Sequence, residues 1–184
     1  MNINSEDAKQ AQNRIIQTAG FSVPFVATSQ IVTRKATLAD ATAIADLVNL
    51  GEHEGQLLPR SLEFIRASVG DWIVAEDREN IVGAGSLLEM SAVLSEVRSL
   101  VVAPAYRQNG VGAKIVAALV EEARARGIAT VFALTRAVPF FEKLEFSVTE
   151  KGNFPEKVWR DCAICPVRHA CDEVAVVKAV VRRP

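Results

Sequence analysis

The stretch that most limits how this chain can fold is "VVAPAYRQNGVGAKI", residues 101–115. It passes from β-branched residues through a turn rich in Gly and Asn into an apolar pattern of helical period, so a strand end, a tight turn and a helix start must lie side by side. Gly110 and Gly112 lack a Cβ, which lets the backbone N–H groups from Gln108 to Ala113 close around an anion. Those donors belong to the unsatisfied first turn of a helix, which carries about half a positive charge at that end. Phosphate binds naturally in such a place. Arg107 and Lys114 add cations at its rim. The plainer reading is a turn that merely needs a positive φ, and the flanking sequence has to decide between the two. Neither the three-glycine order of a dinucleotide-binding turn nor the Gly-Lys-Ser/Thr of a Walker loop occurs in the segment.

On the N-terminal side, "IVTRKA" (31–36) alternates like a strand, and "TLADATAIADLVNL" places Ile44, Leu47, Val48 and Leu50 on one helical face behind a Thr37 cap. Ser61 caps a second, short helix with Leu62, Ile65 and Val69 as its apolar stripe and Gly70 as its stop. "DWIVAEDRENIVGAGSLLEM" reads as two strands around "DREN", and "SEVRSLVV" continues them as a third antiparallel strand. After the glycine turn, a helix from about Gly110 to Arg126 is closed by Gly127 and followed by the strand "ATVFALT". "AVPFFEKL" forms a short helix with Pro139 in its first turn, and "FSV" and "EVAVVKAVV" are the terminal strands. The order βααβββαβαββ predicts an α/β (α+β) architecture: a mixed sheet with helices on both faces. Residues 1–30 have weak periodicity and carry Pro24 near their end, so an N-terminal arm is expected ahead of a domain spanning 31–184.

Bulk properties exclude several classes of partner. A chain of 184 residues with 49% hydrophobic composition supports one core. Its 21 Lys and Arg against 22 Asp and Glu leave no field to hold nucleic acid or an anionic membrane surface. The start lacks a basic segment followed by an apolar one, and no stretch approaches the roughly 18 apolar residues of a bilayer span. A soluble, cytoplasmic protein is the expectation. Three cysteines crowded into one segment do not make the framework of a secreted disulfide scaffold. Cys162, Cys165, His169 and Cys171 supply enough N and S groups for tetrahedral zinc, but their spacing is tighter than that of common zinc modules. A free-thiol loop in a reducing cytosol accounts for them equally well, and no metal is expected. His53 in "GEHEG" reads as an exposed loop residue.

"RQNGVG" after a strand resembles the phosphate-binding motif of the GNAT N-acyltransferases, Gln/Arg-x-x-Gly-x-Gly/Ala, and the resemblance extends over about residues 31–181. It implies the GNAT fold, with a mostly antiparallel sheet splayed between its fourth and fifth strands and the pantetheine arm of acetyl-CoA in the gap. Leu100, Val101 and Val102 would then flank the thioester, while Arg107, Gln108, Asn109, Gly110, Val111, Gly112 and Ala113 grip the diphosphate. "LLPRS", "EVRSLVV", "ALTRAVPFFEKLEF" and "FPEKVWRDCAICPVRHACDEVAVV" are similar to the stand-alone amino-acid N-acetyltransferases that make N-acetylglutamate. The resemblance implies acetyl transfer to the α-amine of L-glutamate, opening arginine biosynthesis. Two other readings keep the fold: transfer to another small amine or a protein N-terminus, and a CoA-binding module without turnover. A homodimer with the arm packed on the partner is compatible with either. Glu145 in "FFEKLEF" departs from the family, which usually has Gly there, and is expected to alter the turn into the next strand.

Acetyl transfer from a thioester to an amine needs the amine deprotonated, the carbonyl oxygen polarised and the thiolate tolerated. Glu96 stands where the similar enzymes carry a glutamate that takes the ammonium proton through water, help worth about 10² to 10⁴ in rate; the alternative is an exposed strand carboxylate. Polarisation would come from a backbone N–H near Val101 or Val102. Many GNAT enzymes protonate the thiolate from a tyrosine on the helix after "ALT", but here that helix offers Phe140 and Phe141, and the only tyrosine is Tyr106. The thiolate, whose thiol has a free pKa of about 8.5, would take its proton from water or the product ammonium. The two phenylalanines would form core and a wall beside the pantetheine. Family resemblance implies direct attack in a ternary complex, not an acyl-cysteine on Cys162 or Cys165. For the carboxylates of glutamate, Arg60, Arg98 and Arg136 are candidates, because guanidinium matches carboxylate two bonds at a time. Strand alternation puts Glu96 and Arg98 on one face. Ser99 would offer its backbone N–H, and Lys157 and Arg160 are reserve cations on a loop able to fold over the cleft. The alternative for each arginine is a solvated surface charge.

Overall fold

The computed structural model describes residues 31–163, 165 and 168–180, so the expected arm of residues 1–30 lies outside the described residues. Within the described residues, seven strands form one sheet: β1 (Ile31–Lys35), β2 (Trp72–Asp77), β3 (Asn80–Ser91), β4 (Leu94–Val102), β5 (Thr130–Thr135), β6 (Ser147–Thr149) and β7 (Val174–Ala179). Their order across the sheet is β1-β2-β3-β4-β5-β7-β6. Only β4 and β5 run parallel, and every other neighbouring pair is antiparallel. Helices α1 (Ala41–His53) and α2 (Leu62–Ala67) cover one face; α3 (Val111–Ala125) and α4 (Val138–Glu142) cover the other. The mixed sheet with helices on both faces is therefore as the sequence predicts. No helix among the described residues is long and apolar enough to cross a membrane.

Alternation along the strands builds both cores. Ile73 and Ala75 of β2 face α3, whereas Trp72 and Val74 face α1. Ile115 and Leu119 of α3 are fully buried, each contributing about 1.5–3 kcal/mol of transfer free energy. The helix comes so close to β3 that a Cβ on Gly83 would stand 2.9 Å from Ile115 Cδ1. α3 ends as expected at Gly127, whose φ is 75°. Gly127 N–H donates to Arg124 C=O, and Ile128 N–H to Ala123 C=O, both at 3.0 Å, the pairing that closes a helix through a left-handed residue.

Several boundaries differ from the expectation for local reasons. Thr37 does not cap α1 directly; its backbone N–H and hydroxyl donate to Asp40 Oδ2 at 2.7 and 2.9 Å, closing a single 3-10 turn before Ala41. Ser61 does cap α2, accepting from Phe64 N–H at 3.1 Å. That helix stops at Ala67, short of Gly70, because Ser68 Oγ turns back to Phe64 C=O at 2.8 Å. "FPEKVWRDC", read as a loop, is helical: α5 (Pro155–Lys157) continues as a π-helical turn, Val158–Cys162. Phe154 anchors it by stacking on Phe132 of β5, with centroids 4.0 Å apart and rings 9° from parallel.

Two irregularities in β4 shape the middle of the sheet. Its pairing with β5 covers only Leu94–Glu96 against Thr130–Phe132, after which the strands part, as expected for the fourth and fifth strands. Against β3, Val101 pairs with Ala84 but Arg98 pairs with Ser86, so Ser99 and Leu100 together face Gly85. This is a β-bulge, and Ser99 sits in the left-handed region with φ 52°. The extra residue switches parity. Val97 packs on the α3 side, then Leu100 and Val102 do so, while Val101 turns to α1.

Candidate active site

Where β4 and β5 separate, a cavity of about 770 Å³ opens. Its walls are residues 96–100 of β4, residues 133–137 at the end of β5, the loop after α1, Phe140, Lys157 and Glu173. Beyond Glu96, the edge of β4 that faces β5 has no strand partner among the described residues. A ligand can use the backbone groups along that edge, which include those at Leu100, Val101 and Val102.

Glu96 and Arg98 both reach this cleft, in line with their shared strand face. Glu96 is 3% exposed, which rules out the surface-carboxylate alternative. Its Oε1 and Oε2 lie 2.8 and 3.0 Å from Lys157 Nζ, which also donates to Asp161 Oδ2 at 2.9 Å. Burial works against the Lys157 ammonium, but Glu96 and then Asp161 outweigh it and hold its pKa above the ordinary lysine value. Asp161, likewise opposed by burial, is drawn below the usual carboxylate range by Lys157 first and by Arg160 and Arg98 after it. Lys157, read as a reserve substrate cation, is thus already committed to two carboxylates.

Arg60 and Arg98 converge. Each guanidinium carbon stands 5.5 Å from the Phe64 ring centroid, so the ring of α2 is a shared platform for both cations. Arg98 is nearly buried and meets Asp161 only at 3.9 Å. Burial, and next the like charge of Arg60, push its pKa down from the ordinary arginine value. Arg60 Nε is buried and has no hydrogen-bond partner among the described residues. Arg136 is placed differently: it is exposed, bonded to Asp172 Oδ1 at 2.5 Å and to Gly55 C=O at 3.1 Å, and ties two loops across the mouth of the cleft.

The glycine turn has the conformation its composition suggests. Gln108 and Gly110 have φ of 63° and 76°, and the first helical bond runs from Lys114 N–H to Gly110 C=O at 3.1 Å. The N–H groups of Val111, Gly112 and Ala113 therefore precede the helical ladder. The two glycines serve different ends. A Cβ on Gly110 would meet nothing within 4 Å, whereas one on Gly112 would stand 3.4 Å from Phe140 Cζ. Gly110 supplies the left-handed turn; Gly112 lets α3 approach α4. The rim cations are not mobile. Arg107 donates to Val102 C=O at 2.9 Å and to Glu54 Oε2 at 2.6 Å, and Lys114 Nζ donates to Ile31 C=O at 3.2 Å. Tyr106 donates to Asp77 Oδ2 at 2.9 Å, at the end of β2. Phe140 and Phe141 meet edge to face, Phe141 buried in the core and Phe140 at the cleft, as expected.

Sequence reasoning missed Phe64 and Glu173. An aromatic four residues after Arg60 on a capped helix was a usable signal for the first; Glu173, just before the last strand, carried none. Among the described residues, no group of three His, Cys, Asp or Glu could hold a metal ion.

The comparisons agree with this geometry. Residues 41–146 match the Acetyltransferase (GNAT) family. An uncharacterized N-acetyltransferase of Chlorobaculum tepidum is 39% identical over 151 residues, 80% of this chain and 95% of that one. The structure of Rv2747 from Mycobacterium tuberculosis, in complex with CoA and NLQ, superposes with a TM-score of 0.71 at 27% identity, covering 82% of this chain and 99% of that one. N-acetylglutamate synthase from Neisseria gonorrhoeae, complexed with coenzyme A and N-acetyl-glutamate, gives a TM-score of 0.71 at 25% identity over 83% of this chain. This chain spans only 35% of that longer protein. With the match running through both parted strands, the glycine turn and the helix between them, the chain belongs to the GNAT family of acetyltransferases.

Proposed function

We propose that this acetyltransferase moves the acetyl group of acetyl-CoA to the α-amine of L-glutamate, giving N-acetylglutamate and CoA. The observation that carries the substrate is the pair Arg60 and Arg98: two cations on one ring, one with a buried donor lacking any partner among the described residues and the other short of anions. A buried guanidinium N–H without an acceptor is costly, and a carboxylate bound there would supply one to Arg60 and a closer anion to Arg98. The Neisseria complex with N-acetyl-glutamate supports the same choice. By family resemblance, the product would feed arginine biosynthesis.

The residues fit acetyl-CoA. The free N–H groups of Val111, Gly112 and Ala113 at the mouth of α3, with open space above Gly110, suit its diphosphate. The partnerless edge of β4 suits the amides of the pantetheine arm, and a backbone N–H at Val101 or Val102 would polarise the thioester carbonyl. Ser99 lies in the bulge, out of the regular ladder, and its N–H would be the donor to an acceptor carboxylate. Once the amine is free, its nitrogen bonds to the acetyl carbon, the C–S bond breaks with its electron pair on sulfur, and the nitrogen's second proton passes through water to the thiolate. Two carboxylates that line the cleft, Glu96 and Glu173, would face the ammonium that must first lose a proton.

A thiol-release assay across the common amino acids tests the assignment. Glutamate should be the best acceptor. Turnover with another amine and none with glutamate would retire it.

A further inference from the structure

We propose that Glu173 is the base that takes the proton from the acceptor's ammonium, while Glu96 holds that ammonium in the cleft by charge. This rests on the reading of the protein as an acetyltransferase acting on an amino acid.

Four carboxylates line the cleft: Glu54, Glu96, Asp172 and Glu173. Three are already engaged by cations. Glu54 holds Arg107 at 2.6 Å, Asp172 holds Arg136 at 2.5 Å, and both oxygens of Glu96 lie within 3.0 Å of Lys157 Nζ. To accept a proton, Glu96 would have to give up the negative charge that pairs with a buried ammonium. Among the described residues, Glu173 has no cation within ion-pair distance, and its only polar contact is Cys171 Sγ at 3.9 Å. Its lone pairs are available.

Glu173 is also held in place. It precedes Val174, which pairs with Thr135 at the end of β5, so sheet register fixes it at the open end of the splay, beside Arg136. Charged groups face it from each neighbouring element: Glu96 on β4, Arg136 after β5, Lys151 after β6 and Lys157 on α5, with Cys171 and Asp172 on its own segment. Burial is the largest influence and pushes its carboxyl up; Glu96 adds to that, and Arg136, Lys157 and Lys151 oppose it. A carboxylate raised toward the working pH is the better general base.

In the step proposed, an N–H bond of the ammonium breaks, the electron pair stays on nitrogen, and the proton goes to a Glu173 oxygen. The amine then attacks the thioester. As the amide forms, nitrogen loses its second proton, which passes through water to the thiolate, and Glu173 returns its own to solvent. The balance is ammonium plus acetyl thioester giving amide, thiol and one proton.

The test measures kcat and KM against pH for wild type, Glu173→Gln and Glu96→Gln, using whichever amino acid the wild type turns over fastest. A different acceptor would therefore retire glutamate without touching Glu173. Glu173→Gln should lower kcat/KM by about 10² to 10⁴ at pH 7, with the acetyl-CoA KM unchanged. The deficit should shrink as pH rises through the acceptor amine's own pKa, because the substrate then arrives deprotonated. A merely structural role would leave a deficit that is constant with pH. Glu96→Gln should raise the acceptor KM at every pH. A pH-independent deficit in Glu173→Gln, no deficit at all, or alkaline rescue of Glu96→Gln in its place would overturn the proposal. No turnover with any amino acid would overturn it together with the function.

Discussion

Replacing Lys157 by Met should destabilise the protein far more than the loss of one lysine from a surface. Glu96 is 3% exposed and the Lys157 side chain 12%, and the ammonium lies within 3.0 Å of both Glu96 oxygens and of Asp161. Without it, two acidic groups share a half-dry site. Removing one partner of a buried ion pair costs about 3–5 kcal/mol, which for a domain of this size lowers the melting temperature by about 6–20 °C. Replacing both partners, as in Glu96→Gln with Lys157→Met, should recover most of that loss, since no uncompensated charge remains. Urea and thermal melts of the four proteins of this cycle at pH 7 give the coupling energy directly. The sign with pH comes from the raised pKa of Lys157. Its stabilisation is complete below the ordinary value of 10.5 and is lost only as pH climbs through the higher folded value, so the gap between wild type and Lys157→Met should be flat through neutral pH and narrow only in strong alkali. A single variant that loses less than about 1 kcal/mol, the level of an exposed pair, or a double variant worse than the single would refute the reasoning.

Gly110→Asn should keep more acetyl-CoA affinity than Gly110→Val, because the position demands a left-handed residue yet has open space around its Cβ; a left-handed conformation costs an ordinary residue about 1–2 kcal/mol, or about tenfold in the acetyl-CoA KM. Arg60→Met should raise the KM for glutamate by about 10- to 100-fold, the worth of a hydrogen bond to a charged group, while leaving the acetyl-CoA KM alone; equal effects on both constants would contradict the carboxylate role. Glu145→Gly should raise the melting temperature by a few degrees, since Glu145 has φ 65° and its exposed pairing with Lys178 contributes little in return. Asp40 is held well below the usual carboxylate range, chiefly by hydrogen bonds from Arg34. Its stabilisation is therefore full above about pH 4 and disappears as pH falls toward its depressed pKa, so Asp40→Asn should melt below wild type at pH 7 and converge with it in acid.

Period and punctuation carried most of the fold. The unbroken apolar run in "DWIVAED" follows from burial of that strand on both faces, and the 3.6-residue stripe of α3 from burial of one, so both were legible. Glu145 shows where punctuation misleads. Its N–H donates to Glu142 C=O at 2.9 Å and that of Phe146 to Phe141 C=O at 3.1 Å, the same pairing that Gly127 makes after α3. The turn expected to change is kept, with a glutamate in the position where glycine is cheapest, because the hydrogen bonds around it are strong enough to impose the conformation.

The site was legible only where its chemistry lies within one segment. "RQNGVG" and the pair Glu96 and Arg98 each sit on a single element whose geometry is local, and period 2 was enough to place both side chains of the pair in the cleft. Parity holds only as far as Arg98: the bulge at Ser99 reverses it, and no residue type at that position announces the change. Partners are less legible still. Lys157 meets Glu96 across 61 residues of sequence, and Glu173 enters the cleft because β7 inserts between β5 and β6. Pairing of that kind depends on which strands become neighbours, a property of the assembled sheet. The division of labour proposed for the two glutamates therefore rests on a lysine and a strand order, and neither carboxylate's own surroundings in sequence could have distinguished them.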